Sequence, residues 1–130
     1  MNQDLANRLK KISASQTLVL THQGRKSGKS YDVVIWFMVE GDRMFLATSN
    51  ANRNWVRNVI ANPRVKLKAG SENFGGSLRQ ITDAAERDHV ATLTQTKYWY
   101  VLPIILAARF LQSIGLVKDN TGAFEVSFDG

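Results

Sequence analysis

From Gln16 to Thr48 the chain is dominated by β-branched and apolar residues, broken only by short polar stretches. Gln16–His22 (QTLVLTH) predicts a first strand, Ser30–Glu40 (SYDVVIWFMVE) a long second one and Arg43–Thr48 (RMFLAT) a third. Gly41-Asp42 is the tight turn that joins the last two into a hairpin. The period then changes. Trp55, Val56, Val59 and Ile60 recur at helical spacing, which predicts a helix over 52–61 with Ser49, Asn50 or Asn52 as its N-cap and Asn62-Pro63 as its stop. Arg64–Ala69 (RVKLKA) alternates as a strand does, GSENFGG reads as a turn, and Ser77–Thr82 returns as the fifth strand. Helices are predicted within 83–117: one capped by Asp83, then the strongly apolar Leu102–Leu116. Gly122–Phe128, alternating Phe124, Val126 and Phe128, is the closing strand, and residues 1–14 form an amphipathic helix with Leu5, Leu9 and Ile12 on one face.

Strands 1–5 thus fall within 16–82 and strand 6 lies after the helices. Short antiparallel strands in this order predict a mainly-β, α+β domain over 1–130. The architecture expected is a six-stranded antiparallel barrel or strongly bent sheet with three to four peripheral helices, not a doubly wound α/β fold.

Composition narrows the chemistry. At 130 residues and 44% hydrophobic the chain suits one core. It has no cysteine, which removes disulfides and thiolate metal sites, and its two histidines are too few for a histidine-rich metal centre. No metal is expected. The first residues lack the apolar core and cleavage site of a signal peptide, so a cytoplasmic location is the expectation. The charge is uneven: residues 1–68 carry twelve Lys/Arg against four Asp/Glu, whereas residues 69–130 carry five against seven. The first half therefore suits an anionic partner.

The cations concentrate at Gly24-Arg25-Lys26-Ser27-Gly28-Lys29, between two strands. Glycines let backbone N–H groups turn toward a ligand while Arg25, Lys26 and Lys29 neutralise it, a cradle for phosphate or carboxylate. It is not a Walker loop, since the spacing is wrong and a strand follows. A solvated basic hairpin is the plainer alternative. A second anion-suited feature lies at Ser49–Asn54, which opens a helix whose first N–H groups are unpaired. There Arg53 and Arg57 share a face, with Asn54 and Asn58 as the neighbouring polar stripe. Asp32 is a candidate partner for Lys29 or Arg25. His22, beside the basic loop, is expected at a solvent-facing strand end, with a cofactor contact as the alternative, and His89 on the surface.

Gly24–Gly28, the apolar-aromatic Val33–Phe37, the Gly41-Asp42 turn, the polar Ser49–Asn52 turn and Trp55–Pro63 (WVRNVIANP) fall in one order. Over residues 17–67 this order resembles the deazaflavin-dependent nitroreductase family, within the flavin and deazaflavin oxidoreductases of split β-barrel fold. The resemblance implies a split barrel of FMN-binding type and a hydride-transferring oxidoreductase. Its cofactor would be coenzyme F420 (8-hydroxy-5-deazaflavin), with FMN as the alternative. It further implies that Arg25, Lys26, Ser27 and Gly28 meet the cofactor phosphate and that the backbone of Val33, Val34, Ile35 and Trp36 lines the ring. Ser49, Asn50 and Arg53 would hold the phosphate or sugar-like arm, with Arg57 beside them. The turn at 49–54 departs from many nitroreductase-type members, which carry a lysine and an Asn-Pro pair before the Trp. A homodimer is implied by the same analogy.

Lys97–Tyr100 (KYWY) and the apolar run to Val117 supply the acceptor side of this reading. Broken by Pro103 and Arg109, the run is too short for a membrane span and reads as a core helix. It is alternatively the wall of an acceptor pocket, or a peripheral membrane contact through 98–117, with Tyr98 and Tyr100 orienting a quinone, nitro or enone acceptor. A non-catalytic carrier of flavin, deazaflavin, haem or lipid is the competing class. Nucleic acid is not expected as a partner, because Trp36, Phe37 and Trp55 sit on apolar faces rather than in an exposed stacking platform.

Overall fold

The computed structural model describes residues 2–48, 52–98 and 122–129. Its elements are α1 (Gln3–Ile12), β1 (Thr17–Gln23), β2 (Ser30–Glu40), β3 (Arg43–Thr48), α2 (Asn54–Ala61), β4 (Arg64–Ala69), β5 (Glu72–Gln80), α3 (Ala84–Lys97) and β6 (Gly122–Phe128). The six strands close into a barrel in the order β1-β2-β3-β6-β5-β4, every neighbouring pair antiparallel. The sixth strand lies between β3 and β5, and β1 closes the barrel on β4 rather than on β6.

Strand alternation decides what fills the interior. Leu18 and Leu20 of β1, Ile35 and Phe37 of β2, Met44 and Leu46 of β3, Val65 and Leu67 of β4 and Phe124 and Val126 of β6 share one buried cluster. Leu9 and Ile12 of α1 and Trp55, Val56 and Val59 of α2 join the same cluster. A second cluster lies on the outer face, where Met38, Phe45 and Ala123 meet Val90 and Tyr98, with Trp36, Ala47 and Leu93 packed alongside. The later half of β2 is thus covered on both faces, which is why its sequence runs apolar without alternating.

Tyr98 belongs to that outer core. It is fully buried, its ring stacks on Trp36 with centroids 4.1 Å apart, its hydroxyl donates to the carbonyl of Gln16, and it accepts from the Phe37 N–H at 3.3 Å. The expectation that Tyr98 orients an acceptor is corrected accordingly: the hydroxyl is tied to main chain. Tyr100, and the expected helix at 102–116, lie outside the described residues.

Three smaller expectations also change. β5 begins at Glu72, so the turn is Gly70-Ser71 and the glycines of NFGG lie within the strand. Gly76 is required there by close approach, since a Cβ would sit 2.5 Å from the Ser127 carbonyl oxygen. α2 starts at Asn54 with Arg53 as N-cap and no side-chain cap bond, rather than with an Asn or Ser cap. Ile60 is 56% exposed and outside the buried stripe.

Leu46 is fully buried in the interior cluster. Leu46→Ala should lower the unfolding free energy by about 2–5 kcal/mol, read from urea titration as a lower midpoint at unchanged slope.

Candidate functional site

The basic loop between β1 and β2 is a tight turn held by its own main chain. The N–H of Gly24 donates to the Lys29 carbonyl at 2.8 Å, and that of Gly28 donates to the Gly24 carbonyl at 3.0 Å. Gly28 has φ +70°, a conformation that side chains resist, which accounts for its place in the turn. Ser27 Oγ accepts from the Lys29 N–H at 3.2 Å and lies 3.3 Å from the Tyr31 hydroxyl.

What fixes this loop to the barrel is Asn58, one turn into α2 and only 5% exposed. Its Oδ1 accepts from both the main-chain N–H of Arg25 at 3.1 Å and the guanidinium Nη1 of Arg25 at 2.8 Å. Its Nδ2 meets His22 Nδ1 at 3.1 Å. One turn on, Asn62 Nδ2 donates to Gln23 Oε1 at 2.6 Å. Asn58 and the C-cap Asn62 therefore strap α2 onto the end of β1, while Asn54 and Arg57 remain exposed.

His22 is likewise not at a solvent-facing position. It is buried, because it continues the inward row of Leu18 and Leu20, and its ring lies 5.9 Å from that of Tyr31. Burial holds its pKa below the usual 6.5, against the opposing pull of the Asp32 carboxylate. Asp32 itself accepts from Thr21 Oγ1 at 2.6 Å, a cross-strand bond that replaces the expected pairing with Lys29 or Arg25. His89 is exposed as expected and contacts Glu40 at 2.9 Å.

Around these residues lie two cavities. The first, of about 670 Å³, is lined by His22, Gly24, Arg25, Lys26, Ser27 and Tyr31 on the hairpin side and by Arg53, Asn54 and Asn58 on the helix side. The cationic turn and the start of α2 therefore converge on one space. The second, of about 580 Å³, is a slot between β2 and α3, with Val34, Ile35, Trp36 and Ala47 on one side and Arg87, Asp88, Val90, Ala91, Thr94 and Gln95 on the other. Val33, Arg53 and Trp55 line both. Of the expected site residues, Arg25, Lys26, Ser27, Val34, Ile35, Trp36 and Arg53 line one or both cavities. Gly28 shapes the loop, and Arg57 is exposed and lines neither. Ser49 and Asn50 lie outside the described residues. The burial of His22, the anchoring role of Asn58 and the α3 wall were not anticipated; the alternation of Leu18, Leu20 and His22 was the available signal for the first.

No group of three or more His, Cys, Asp or Glu among the described residues is arranged to hold a metal ion, and no helix among them is long and apolar enough to cross a membrane. A cationic recess joined to a slot whose β2 wall is Val34, Ile35 and Trp36 suits a cofactor with an anionic arm and a planar ring. That pairing, on a closed antiparallel barrel, defines a split-barrel protein of the flavin and deazaflavin type.

Comparison with known proteins agrees. The sequence profile of the F420H(2)-dependent quinone reductases matches residues 2–101, and the chain belongs to that family. It is an oxidoreductase whose cofactor is coenzyme F420, which decides the choice left open with FMN. Among curated proteins no significant match was found. Among solved structures, an F420-H2 dependent reductase, FDR-A, is 23% identical with TM-score 0.66, the alignment covering 87% of this chain and 95% of that one. A conserved hypothetical protein from Mycobacterium tuberculosis is 15% identical with TM-score 0.68, covering 100% and 81%. A Listeria innocua protein described as a candidate pyridoxamine 5'-phosphate oxidase is 12% identical with TM-score 0.68, covering 97% and 94%. At these identities the structural likeness speaks for the fold alone.

Because His22 is held neutral, the unfolded chain binds the extra proton as pH falls through 6.5 toward the lower folded value. Stability should therefore be full above about pH 6.5, decline through that window and level off below it. Comparing denaturation midpoints of wild type and His22→Asn from about pH 8 to pH 5 isolates the step, which the variant should lack.

Proposed function

We propose that the chain transfers hydride from reduced coenzyme F420 to a quinone-like acceptor, with the cofactor arm in the cationic recess and the acceptor in the slot between β2 and α3. The observation that carries this reading is the shared wall of Val33, Arg53 and Trp55, which makes a guest in one cavity the neighbour of a guest in the other. When bound, the reduced deazaflavin supplies the hydride, so the protein's task is placement.

Arg25 and Lys26 neutralise the anionic arm, and Ser27 adds a hydroxyl to it, within a turn that Gly28 makes possible. Ser49 and Asn50 complete the binding of the arm beside Arg53, while Arg57 contributes charge at longer range. The main chain of Val34, Ile35 and Trp36 supports the ring. Trp36 is itself immobilised by its stack on Tyr98, so the floor of the slot is rigid. Val90 and Ala91 of α3 form the far side, beside the polar side chains of Arg87, Asp88 and Thr94. A quinone suits such a slot because it is flat and largely apolar and needs only two oxygens satisfied. The homodimer implied by family resemblance belongs to the same reading and is measurable by sedimentation.

Two variants test the two halves separately. Arg25→Ala with Lys26→Ala should weaken coenzyme F420 binding by about ten- to a hundredfold in a fluorescence titration, through loss of two charged contacts. Ala91→Trp should fill the acceptor end, raising KM for a naphthoquinone at least about tenfold while the cofactor Kd stays within about twofold. Unchanged cofactor affinity in the double variant, or a nitroaromatic outrunning every quinone in wild type, would overturn the assignment.

A further inference from the structure

The hydrogen bonds around Asn58 fix more than the loop. Its Oδ1 is occupied by two donors of Arg25, so the atom it turns to His22 is the amide nitrogen, which can only donate. His22 Nδ1 is therefore the acceptor, and the ring proton of the neutral imidazole sits on Nε2. Among the described residues that second nitrogen has no protein partner, yet no buried side-chain nitrogen or oxygen lacks one. Nε2 is consequently at the surface of the recess that His22 lines, beside Arg25, Lys26 and Tyr31. Protonating the ring would set an Nδ1–H against the donating amide, so the network resists the cationic form on geometric grounds as well as by burial.

We propose that His22 is a cofactor-binding residue, clamped by Asn58 as the Nε2–H tautomer, which donates one hydrogen bond to an acceptor oxygen of the bound cofactor. It differs in kind from its cationic neighbours. Arg25 and Lys26 attract any anion over several ångströms, whereas a neutral N–H in a fixed direction selects for an oxygen at one place. Asn58 serves both: the same amide that aims the Arg25 guanidinium aims the imidazole. The inference rests on the F420 assignment but makes a claim about the cofactor-free protein too.

The test begins on ¹⁵N-labelled wild-type protein without cofactor, where long-range ¹H–¹⁵N spectra should show His22 neutral with its proton on Nε2. Saturation with oxidised coenzyme F420 should shift the Nε2 resonance and slow exchange of its proton. His22→Gln retains a donor near the Nε2 position, and His22→Asn retains an acceptor for Asn58 but reaches no further. The Asn variant should bind coenzyme F420 roughly five- to tenfold more weakly than wild type, and the Gln variant within about twofold of wild type. A proton on Nδ1, a His22 signal unmoved at saturation, or equal affinities for the two variants overturns the contact alone. Failure of wild type to bind coenzyme F420 would overturn the cofactor assignment and this contact with it.

Discussion

The side-chain amide of Asn58 makes three hydrogen bonds inside the protein: its oxygen accepts from the main chain and guanidinium of Arg25, and its nitrogen donates to the ring of His22. Those bonds join three separate pieces of chain, the end of β1, the loop after it and α2, at a point almost closed to solvent. A glycine-rich cationic loop would otherwise explore many conformations, and its charges would find an anion only at an entropic cost. Held at Arg25, the loop presents its cations across the recess from Arg53 and Asn54. In the low dielectric of that setting each bond is stronger than in water, and loss of the Asn58–His22 bond removes the ring Nδ1's partner at a buried position. The recess is therefore organised before a ligand arrives.

How far this was readable in advance differs between fold and site. β1, β2, β3, β4 and β6 follow from β-branched runs and alternation, and α2 from the step to helical period at Trp55 and Val56. β5 was cut short because NFGG looks like a turn; only the approach of Ser127 to Gly76 explains glycine in a strand, and that contact comes from a segment some fifty residues on. The cationic loop and Arg53 were legible from composition. The burial of His22 and its bond to Asn58 were not, because a polar residue on an inward row satisfies itself through a partner that no local pattern reveals. Tyr98 was misread for a related reason: its hydroxyl finds main chain at Gln16 and Phe37, far away in sequence.

The comparisons place proteins of different described chemistry on nearly the same barrel, among them an F420-dependent reductase and a candidate pyridoxamine 5'-phosphate oxidase. A shared barrel explains the likeness without fixing the reaction. In this chain the chemistry is set locally: by the loop at 24–29, the amide strap from α2, and the face of α3 turned to β2.

The position of α3 has a consequence for how such a protein diversifies. The helix packs on the outside of the closed barrel, through Val90 and Leu93 against the outer cluster, and contributes Ala91 and Thr94 to the slot without entering the interior core. Of its slot-facing side chains, Val90 also packs in the outer cluster and Thr94 bonds Met38, whereas Ala91 belongs to neither cluster. Substitution there can reshape the cavity opposite Trp36 while the Arg25–Asn58–His22 anchor stays intact, so descendants of one barrel are free to change their oxidant and keep their coenzyme.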